Sequence, residues 1–308
     1  RSLELLQGKA GIGQTRYSTT GSSSPANMQP VLGKFRGRDF FLVHNGNLVN
    51  LKELGWDCDK MNCSDTVLVA DLVSRSRKSD FADAIVDVAG RLRGSFNFVF
   101  LFDEKLYAIK DSFGFHPLVI GRMDEGCVIA SESCALDHIG AELIRDVEPG
   151  EMLVIDHKSI QSTYWKKERS LKFDIFEFIY FLRPDSFVHG VEAGLARYFM
   201  GRALARLYPI ETDIVLPVPD SGNEAALGYY EAISEIYPAV RFRPWSLFRP
   251  HTVSRTFIDP VQEKRQKNIS LKFNPRRPQL EGMRVVMIED SLVRGNTARR
   301  QSHLMEKM

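Results

Sequence analysis

Two adjacent carboxylates, Glu289 and Asp290, directly follow a run of four apolar residues, 285–288. The apolar run predicts a buried parallel strand, and ligands of open α/β sheets bind beyond the carboxyl ends of such strands. Paired acids at that position suit the hydroxyls of a ribose together with Mg²⁺. The polar turn that follows offers backbone N–H groups and hydroxyls to a phosphate, and its residues are Ser291, Arg294, Gly295, Asn296 and Thr297. The segment therefore predicts a site for a phosphorylated ribose, with an ordinary helix cap at Thr297 as the plainer alternative.

A second group of candidate side chains lies before residue 70 and could recognise an amino acid. The planar guanidinium of Arg16 could hold a carboxylate through two hydrogen bonds, and Asp65 could accept a hydrogen bond from an α-amino group. The amide of Asn45 and the backbone N–H of Gly46 could stabilise the oxyanion of an acyl transfer. Taken singly, each has a simpler explanation. These are a surface ion pair for Arg16, a hairpin turn for Asn45-Gly46 and a helix N-cap for Asp65.

The elements that must position the second group form a mixed pattern of strands and helices. The predicted strands are 40–43, 96–102, 106–109, 118–120 and 128–130, and the predicted helices are 64–74 and 80–92. Because the two kinds of element do not alternate strictly, the first half is expected to be an α+β layered domain.

The second half of the sequence alternates regularly from about residue 176 onward. The predicted order is helix 191–208, strand 214–218, turn 219–222, helix 224–236 and strand 285–288. This βαβ order predicts a parallel sheet. The boundary between the two halves is expected near residues 160–175, where KKERSLK (166–172) is a charged connector.

The length, composition and net charge of the chain limit which kinds of protein it can be. The chain has 308 residues, 44% of them hydrophobic and 26% charged, and a formal net charge of +2. These values predict a globular protein of two domains, and they give no reason to expect a nucleic-acid or membrane partner. The cysteine usage predicts a cytoplasmic location. The four cysteines are too few and too irregularly spaced for a disulfide framework.

Three motifs before residue 70 resemble those of class II glutamine amidotransferases, which use an N-terminal nucleophile: RYSTTG (16–21), HNGNL (44–48) and SDT (64–66). Residues 285–297 resemble the signature of type I phosphoribosyltransferases, which bind 5-phosphoribosyl 1-pyrophosphate (PRPP). Together with FEFIYFLRPDS (176–186) and RTFIDPVQEKR (255–265), these motifs identify the chain as a member of the glutamine PRPP amidotransferase family. The resemblance covers essentially the whole chain.

The resemblance implies a fold for each half. Residues 1–165 should form an α+β N-terminal-nucleophile domain, an αββα sandwich whose first part is missing. Residues 166–308 should form an α/β type I phosphoribosyltransferase domain with a mainly parallel sheet, whose last part is missing.

The resemblance also implies a role for each candidate residue. Arg16 and Asp65 would bind the carboxylate and the α-amino group of glutamine, and Asn45 and Gly46 would form the oxyanion hole. The PRPP-binding residues would be Asp220, Ser221, Lys264, Arg265, Glu289, Asp290, Ser291, Arg294, Gly295, Asn296 and Thr297. Of these, Glu289, Asp290 and Ser221 would also hold Mg²⁺.

The implied activity is the first step of de novo purine synthesis, in which glutamine, PRPP and water give 5-phosphoribosylamine, glutamate and pyrophosphate. Glutamine and PRPP are the expected small-molecule partners, and family analogy suggests a homo-oligomer, a tetramer. An iron–sulfur cluster is not expected, because no cysteine occurs in the second half.

The chain departs from the family pattern at the nucleophile. Residue 1 is Arg, and Cys58, Cys63, Cys127 and Cys134 are internal, so none has the free α-amino group that the family's nucleophilic cysteine uses as its base. This chain by itself is therefore not expected to hydrolyse glutamine. Two other functions stay open: a PRPP-binding regulatory protein without glutaminase activity, and a class II amidotransferase that feeds another acceptor.

Overall fold

The computed structural model describes residues 8–15, 27–56, 63–124, 126–248, 274–292 and 295–306. The chain divides into two compact units, Arg1–Asp174 and Ile175–Met308. Among the described helices, none combines the length and the apolar character needed to cross a lipid bilayer.

The first unit is built on two antiparallel sheets. The larger sheet has the strand order β1-β2-β3-β4-β8-β9, with β1 Val31–Phe35, β2 Arg38–Leu48, β3 Gly94–Phe102, β4 Lys105–Lys110, β8 Glu151–Ile155 and β9 Ile160–Tyr164. The smaller sheet has the order β6-β5-β7, with β5 Val119–Met123, β6 Gly126–Ala130 and β7 Glu142–Asp146. The helices of this unit are α1 Asp65–Ser74, α2 Phe81–Ala89 and α3 Ser133–His138.

These elements lie in four layers because each sheet buries both of its faces. Helices α1 and α2 cover one face of the larger sheet, where Phe81 stacks on Phe102 with ring centroids 4.2 Å apart. The other face packs on the smaller sheet through apolar side chains such as Ala108 and Ile120. Leu136 of α3 covers the far side of the smaller sheet. Along β3, every second side chain from Phe96 to Phe102 packs on the helix side of the sheet, whereas Val99 packs on the other side. Successive side chains of a strand point to opposite faces.

Strand β2 is longer than the sequence predicts, and this overturns the hairpin interpretation of Asn45-Gly46. The strand continues past Val43, and β2 and β3 stay paired from Phe41↔Leu101 to Leu48↔Gly94. Asn45-Gly46 therefore lies inside a central strand and not in a turn. Its place is fixed by pairing with a distant strand, which outweighs the local turn preference of the dipeptide.

The charged connector packs back against the first unit. The backbone N–H groups of Ser170, Lys172 and Asp174 donate to the carbonyls of Ser112, Phe113 and Phe115, at 3.1, 2.7 and 3.0 Å. The division between the units lies after Asp174, at the end of the range 160–175 in which the sequence places the boundary. The backbone at Ser170, Lys172 and Asp174 is therefore hydrogen-bonded to the first unit.

The second unit contains a parallel sheet with the strand order β13-β12-β16. Its strands are β12 Ile214–Pro217, β13 Arg241–Phe242 and β16 Val285–Ile288, and its helices are α4 Ala193–Leu207, α5 Asn223–Ser234, α6 Arg277–Leu280 and α7 Asn296–Glu306. The unit also contains a π-helical turn, Glu177–Phe181, a 3-10 turn, Pro244–Ser246, and a short hairpin of β10 Phe187–Val188 with β11 Val191–Glu192. Strand β14 Leu247–Phe248 pairs antiparallel with β15 Asn274–Pro275. The predicted parallel pairing of strands 214–218 and 285–288 is confirmed.

Both faces of this sheet are covered, which explains why its strands are continuously apolar. Val215 and Ile288 pack against α5 on one side, and Ile214 and Leu216 pack against Leu280 of α6 on the other.

Candidate functional site

Asn45 and Gly46 lie next to each other on β2 but belong to opposite faces of the sheet. Asn45 lines a cavity of about 410 Å³ between the two sheets, together with its cross-strand neighbour Asn97. Gly46 pairs with Phe96 and has φ 151°, and a Cβ atom built on it would lie 2.2 Å from the carbonyl oxygen of Ser95. Only glycine fits at this position, because both the backbone conformation and the close approach of β3 exclude a side chain.

The cavity is lined by two segments besides the strands of the larger sheet. These are residues 11–14 and 127–131, and they bring Cys127 into the same space as Asn45. Burial raises the pKa of the Cys127 thiol, and the positive charge of Arg122 offsets this only in part. A raised pKa makes a thiol less reactive, and Cys127, as an internal residue, also lacks the free α-amino group that serves as the base for an N-terminal cysteine.

Asp65 begins α1 and is almost completely buried. Its Oδ2 accepts a hydrogen bond from the backbone N–H of Leu48 at 3.2 Å, and its Oδ1 accepts one from its neighbour Thr66 at 2.9 Å. The Nδ1 atom of His44 lies 3.5 Å from the same Oδ1. The structure thus brings Asp65 beside the strand that carries Asn45 and Gly46, although 17 residues separate Asp65 from Leu48 in the sequence.

The surroundings of Asp65 favour its charged form. Burial by itself would raise the pKa of Asp65, but the hydrogen bond and charge of His44 and the N–H groups of Leu48 and Thr66 outweigh it. The net result is a pKa below the usual value for an aspartate. A charged carboxylate in a largely dehydrated place is suited to an ammonium group. Arg16, the proposed partner of the other end of the amino acid, lies outside the described residues.

In the second unit, the two loops predicted to bind PRPP lie at one edge of the sheet. Strands β12 and β16 are parallel and in register up to Pro217↔Ile288. The turn after β12 and the acidic loop after β16 therefore both begin at the carboxyl edge. The two loops are joined directly, because the hydroxyl of Ser221 donates to Oδ2 of Asp290. The hydroxyl of Ser291 donates to Oδ1 of the same carboxylate.

Gly222 allows the two loops to approach each other. A Cβ atom at this position would lie 2.5 Å from the carbonyl oxygen of Ile288 and 2.9 Å from that of Val218. Val218 itself donates its N–H to the same Ile288 carbonyl at 2.8 Å. Helix α5 begins at the next residue, so the turn is held between a strand end and a helix start.

The structure describes only some of the remaining candidate residues of the second unit. Asp220 is exposed, and Glu289 is half-buried beside Asp290. Gly295 has φ 67° and α7 begins at Asn296, as the Gly-Asn-Thr pattern predicts, with the N–H of Arg299 bonded to the Gly295 carbonyl at 2.8 Å. Arg294, Lys264 and Arg265 lie outside the described residues, and for Asn296 and Thr297 the structure gives only the backbone.

Two residues near the first-unit site were not identified from the sequence. His44 stands in the HNGNL motif but had no predicted role, and Asn97 gave no signal at all. Asn97 donates from Nδ2 to the carbonyl of Pro117 at 2.8 Å. Its position beside Asn45 follows from the pairing of β2 with β3, which the sequence pattern did not show to extend that far.

Comparison with known proteins gives a consistent result for the whole chain. Residues 14–138 match the family model described as a glutamine amidotransferase domain. A chloroplastic amidophosphoribosyltransferase of Glycine max is 42% identical over 99% of the chain, and an amidophosphoribosyltransferase of Archaeoglobus fulgidus is 41% identical over 96% of it. The chain spans 54% and 65% of these two relatives.

Solved structures agree with the sequence relatives. The glutamine PRPP amidotransferase of B. subtilis, in complex with ADP and GMP, superimposes with a TM-score of 0.83 at 35% identity, over 96% of this chain and 64% of that one. A structure described as the allosteric regulatory enzyme of purine biosynthesis gives a TM-score of 0.84 at 35% identity, over 96% of this chain and 63% of that one. These comparisons agree with the resemblance inferred from the motifs: over the part that it spans, the chain is similar in sequence and in fold to amidophosphoribosyltransferases.

Proposed function

We propose that the protein transfers the amide nitrogen of glutamine to PRPP, giving 5-phosphoribosylamine, glutamate and pyrophosphate, the first step of purine synthesis. The observation that carries the proposal is the presence of two separate polar sites in one chain. In the first unit, Asp65 is hydrogen-bonded to β2, the strand that holds Gly46 and whose Asn45 lines the cavity. In the second unit, Ser221 is hydrogen-bonded to Asp290. The relatives with known names support the same activity.

In the first unit, we assign one protein side chain to each charged group of glutamine. The carboxylate of Asp65 binds the α-ammonium, and Arg16 binds the α-carboxylate. Asn45 and the N–H of Gly46 stabilise the oxyanion that forms when the side-chain amide is attacked. All four cysteines are internal, so the nucleophile of this reaction is not among the residues that we assign. The four layers described above support assigning this unit to the N-terminal-nucleophile fold.

In the second unit, Glu289 and Asp290 bind the ribose hydroxyls of PRPP. The residues from Ser291 to Thr297 bind its 5′-phosphate, helped by the N–H groups that α7 leaves unpaired at its start. Asp220 and Ser221 face the pyrophosphate, and Lys264 and Arg265 add positive charge. Ammonia displaces pyrophosphate at the anomeric carbon, so the new C–N bond forms as the C–O bond to pyrophosphate breaks.

The donor set at this edge fits Mg²⁺. Its groups are oxygens, namely the carboxylates of Glu289 and Asp290 and the hydroxyl of Ser221, and magnesium commonly uses one or two carboxylates together with substrate phosphates. Within the described part of the chain, no group of three or more Asp, Glu, His or Cys side chains is placed to hold a metal ion by itself. When bound, the ion would neutralise charge on the departing pyrophosphate. By family analogy, we extend the proposal to a cytoplasmic homo-oligomer.

The test uses the full-length gene product with glutamine, PRPP and Mg²⁺. Glutamate and pyrophosphate should appear in equal amounts, and EDTA should stop pyrophosphate release. Ammonium chloride should replace glutamine in the PRPP-dependent reaction. A protein that binds PRPP with Mg²⁺ but releases no pyrophosphate from either nitrogen source would instead be a PRPP-binding regulator, and glutamine hydrolysis without PRPP consumption would indicate another acceptor.

A further inference from the structure

The proposed function gives no role to His44, although this side chain lies at the centre of the first-unit site. It is only 5% exposed, and its ring packs on Phe98 with centroids 4.6 Å apart. Two glutamine side chains bind the backbone of His44. Its N–H donates to Oε1 of Gln29 at 2.7 Å, and its carbonyl accepts from Nε2 of Gln14 at 3.3 Å. The ring is therefore fixed in orientation by packing and by its own backbone.

One ring nitrogen of His44 faces the amino-group site. Nδ1 lies 3.5 Å from Oδ1 of Asp65 and 3.4 Å from Oγ1 of Thr66. The Thr66 hydroxyl accepts from Nε2 of Gln29 at 3.1 Å, and it can direct its own proton to Oδ1 of Asp65, 3.4 Å away. When the hydroxyl proton points to Asp65, both neighbours of Nδ1 are acceptors, and this arrangement favours a proton on Nδ1.

The other ring nitrogen, Nε2, lies close to Gly46 on β2. A Cβ atom built on Gly46 would lie 2.8 Å from Nε2 of His44. Nε2 is buried and has no hydrogen-bond partner among the described residues. The ring of His44 therefore lies between the carboxylate of Asp65 and the backbone of Gly46.

The contacts of Asp65 show what the ring contributes. The N–H groups of Leu48 and Thr66 each bind one carboxylate oxygen. The Thr66 hydroxyl, at 3.4 Å, and Nδ1 of His44, at 3.5 Å, both lie close to Oδ1. Without Nδ1, Oδ1 would be held, among the described residues, only by groups of Thr66, the next residue in the chain, so the carboxylate would be oriented less firmly toward an ammonium group.

We propose that His44 is a positioning residue that holds Asp65 in the orientation needed to bind the α-ammonium of glutamine. The inference rests on the proposed function, since it assigns the ligand of Asp65. His44 touches no substrate atom in this scheme. It acts through the carboxylate, and its effect should be confined to substrates that carry an α-amino group.

The test compares three variants of the full-length protein with two amide substrates. In His44→Asn the side-chain amide nitrogen is as many bonds from the backbone as Nδ1, so the donor to Asp65 is kept. His44→Gln carries its amide one bond further, where Nε2 lies, and His44→Leu has no donor. The substrates are glutamine and glutaramate, which has the same amide and carboxylate but no α-amino group.

For glutamine, we expect kcat/KM to fall about tenfold in His44→Leu and His44→Gln, mainly through KM, and to recover to within about threefold in His44→Asn. For glutaramate, the three variants should match the wild type within about twofold. Adding His44→Leu to Asp65→Asn should cause little further loss with glutamine, because the group that the ring positions is already changed. If His44→Leu does not fold, His44→Gln decides the comparison.

Equal losses with glutamine and glutaramate would overturn the inference, because a general distortion affects both substrates. So would a failure of His44→Asn to recover activity while it folds normally. The PRPP-dependent reaction with ammonium chloride serves as a separate control, and it should be unchanged in all three variants. If the wild type itself uses neither glutamine nor ammonia, the proposed function fails first, and that outcome is distinguishable from a failure of the role of His44.

Discussion

The hydroxyl of Ser221 donates a hydrogen bond to the carboxylate of Asp290, which lies 69 positions later in the chain. The two residues follow different parallel strands of one sheet, and Ser291 donates to the second oxygen of the same carboxylate. Asp290 is therefore oriented by protein groups from both sides. A carboxylate held in this way loses little freedom when a ligand binds to it, which favours binding.

Replacing Asp290 by Asn should abolish the use of PRPP and spare glutamine hydrolysis. The change removes a negative charge and one of two acceptors that the serine hydroxyls bind. We expect pyrophosphate release to fall roughly 100-fold or more, measured with ammonium chloride as the nitrogen source. The matched control is Asp213→Asn at the amino edge of the same sheet, where Asp213 accepts from the N–H of Arg284 at 2.8 Å. That variant should retain PRPP turnover, and an equal loss in both would contradict the assignment.

Replacing Asn45 by Ala should impair the glutaminase reaction alone. The side-chain amide lines the cavity between the sheets, and its loss removes one donor from the proposed oxyanion hole. We expect kcat for glutamine hydrolysis to fall about 100- to 1000-fold, while amination of PRPP by ammonia is unchanged. Asn47→Ala, two residues along the same strand face, is the control and should stay within about threefold of the wild type. A similar loss with both nitrogen sources would argue against an oxyanion role.

Replacing Gly201 by Ala should destabilise the second unit. A Cβ atom there would lie 1.9 Å from the carbonyl oxygen of Ala225 on α5, and a Cβ on Gly228 would lie 1.9 Å from that of Tyr198 on α4. The clash is with backbone, so the helices must separate. We expect a loss of about 2–3 kcal/mol in the free energy of unfolding, although alanine has a helix propensity about 1 kcal/mol better than glycine. Urea unfolding should show this, and Ala203→Ser on the exposed side of α4 should change stability by less than about 0.5 kcal/mol.

Glu151 should make the first unit sensitive to acid. Its side chain is 1% exposed and binds the guanidinium of Arg145 through two hydrogen bonds of 2.8 and 2.7 Å. Burial alone would raise the pKa of Glu151, but the bonds from Arg145, Ser162 and the N–H of Glu148 outweigh it, so its pKa in the folded protein is lower than usual. The unfolded chain then binds the proton more tightly. The stabilisation is therefore present above the ordinary pKa of 4.5 and is lost as the pH falls through the folded value.

Replacing Glu151 by Gln should accordingly cost about 3 kcal/mol of unfolding free energy at pH 7. The difference from the wild type should shrink as the pH falls below 4.5, the ordinary pKa of the group. Denaturant unfolding at several pH values checks this, with Glu142→Gln on exposed β7 as the control. A difference that stays constant down to pH 3 would show that the charge of Glu151 contributes nothing.

The carboxyl edge of the second unit could be predicted because its signals are local. Residues 285–288 form an apolar run that ends at two acids, and Gly295 marks the start of the next helix, so strand, loop and helix are all readable from neighbouring residues. The parallel pairing follows from the alternation of elements. What the pattern could not give is the hydrogen bond from Ser221 to Asp290, because it depends on how closely the two loops approach.

The first-unit site was harder to predict because its geometry depends on distant segments. Asn45-Gly46 has the local preference of a turn, yet the pairing with β3 keeps it inside a strand. Strand β9 has no apolar alternation and is exposed along its whole length, so its sequence gives no strand signal. The ring of His44 reaches Asp65 only because α1 packs on the larger sheet, and no spacing in the sequence reports that contact.

The hydrogen bonds made by residues 170–174 determine where the first half can be cut from the second. Expression of the first half alone should succeed only if the polypeptide extends through Asp174. A shorter version would leave the carbonyls of Ser112, Phe113 and Phe115 without the N–H groups that they accept from, and it would uncover the loop that follows β4. A protease site or fluorescent tag introduced into this stretch would perturb the first half, whereas the same insertion in a true linker would be harmless.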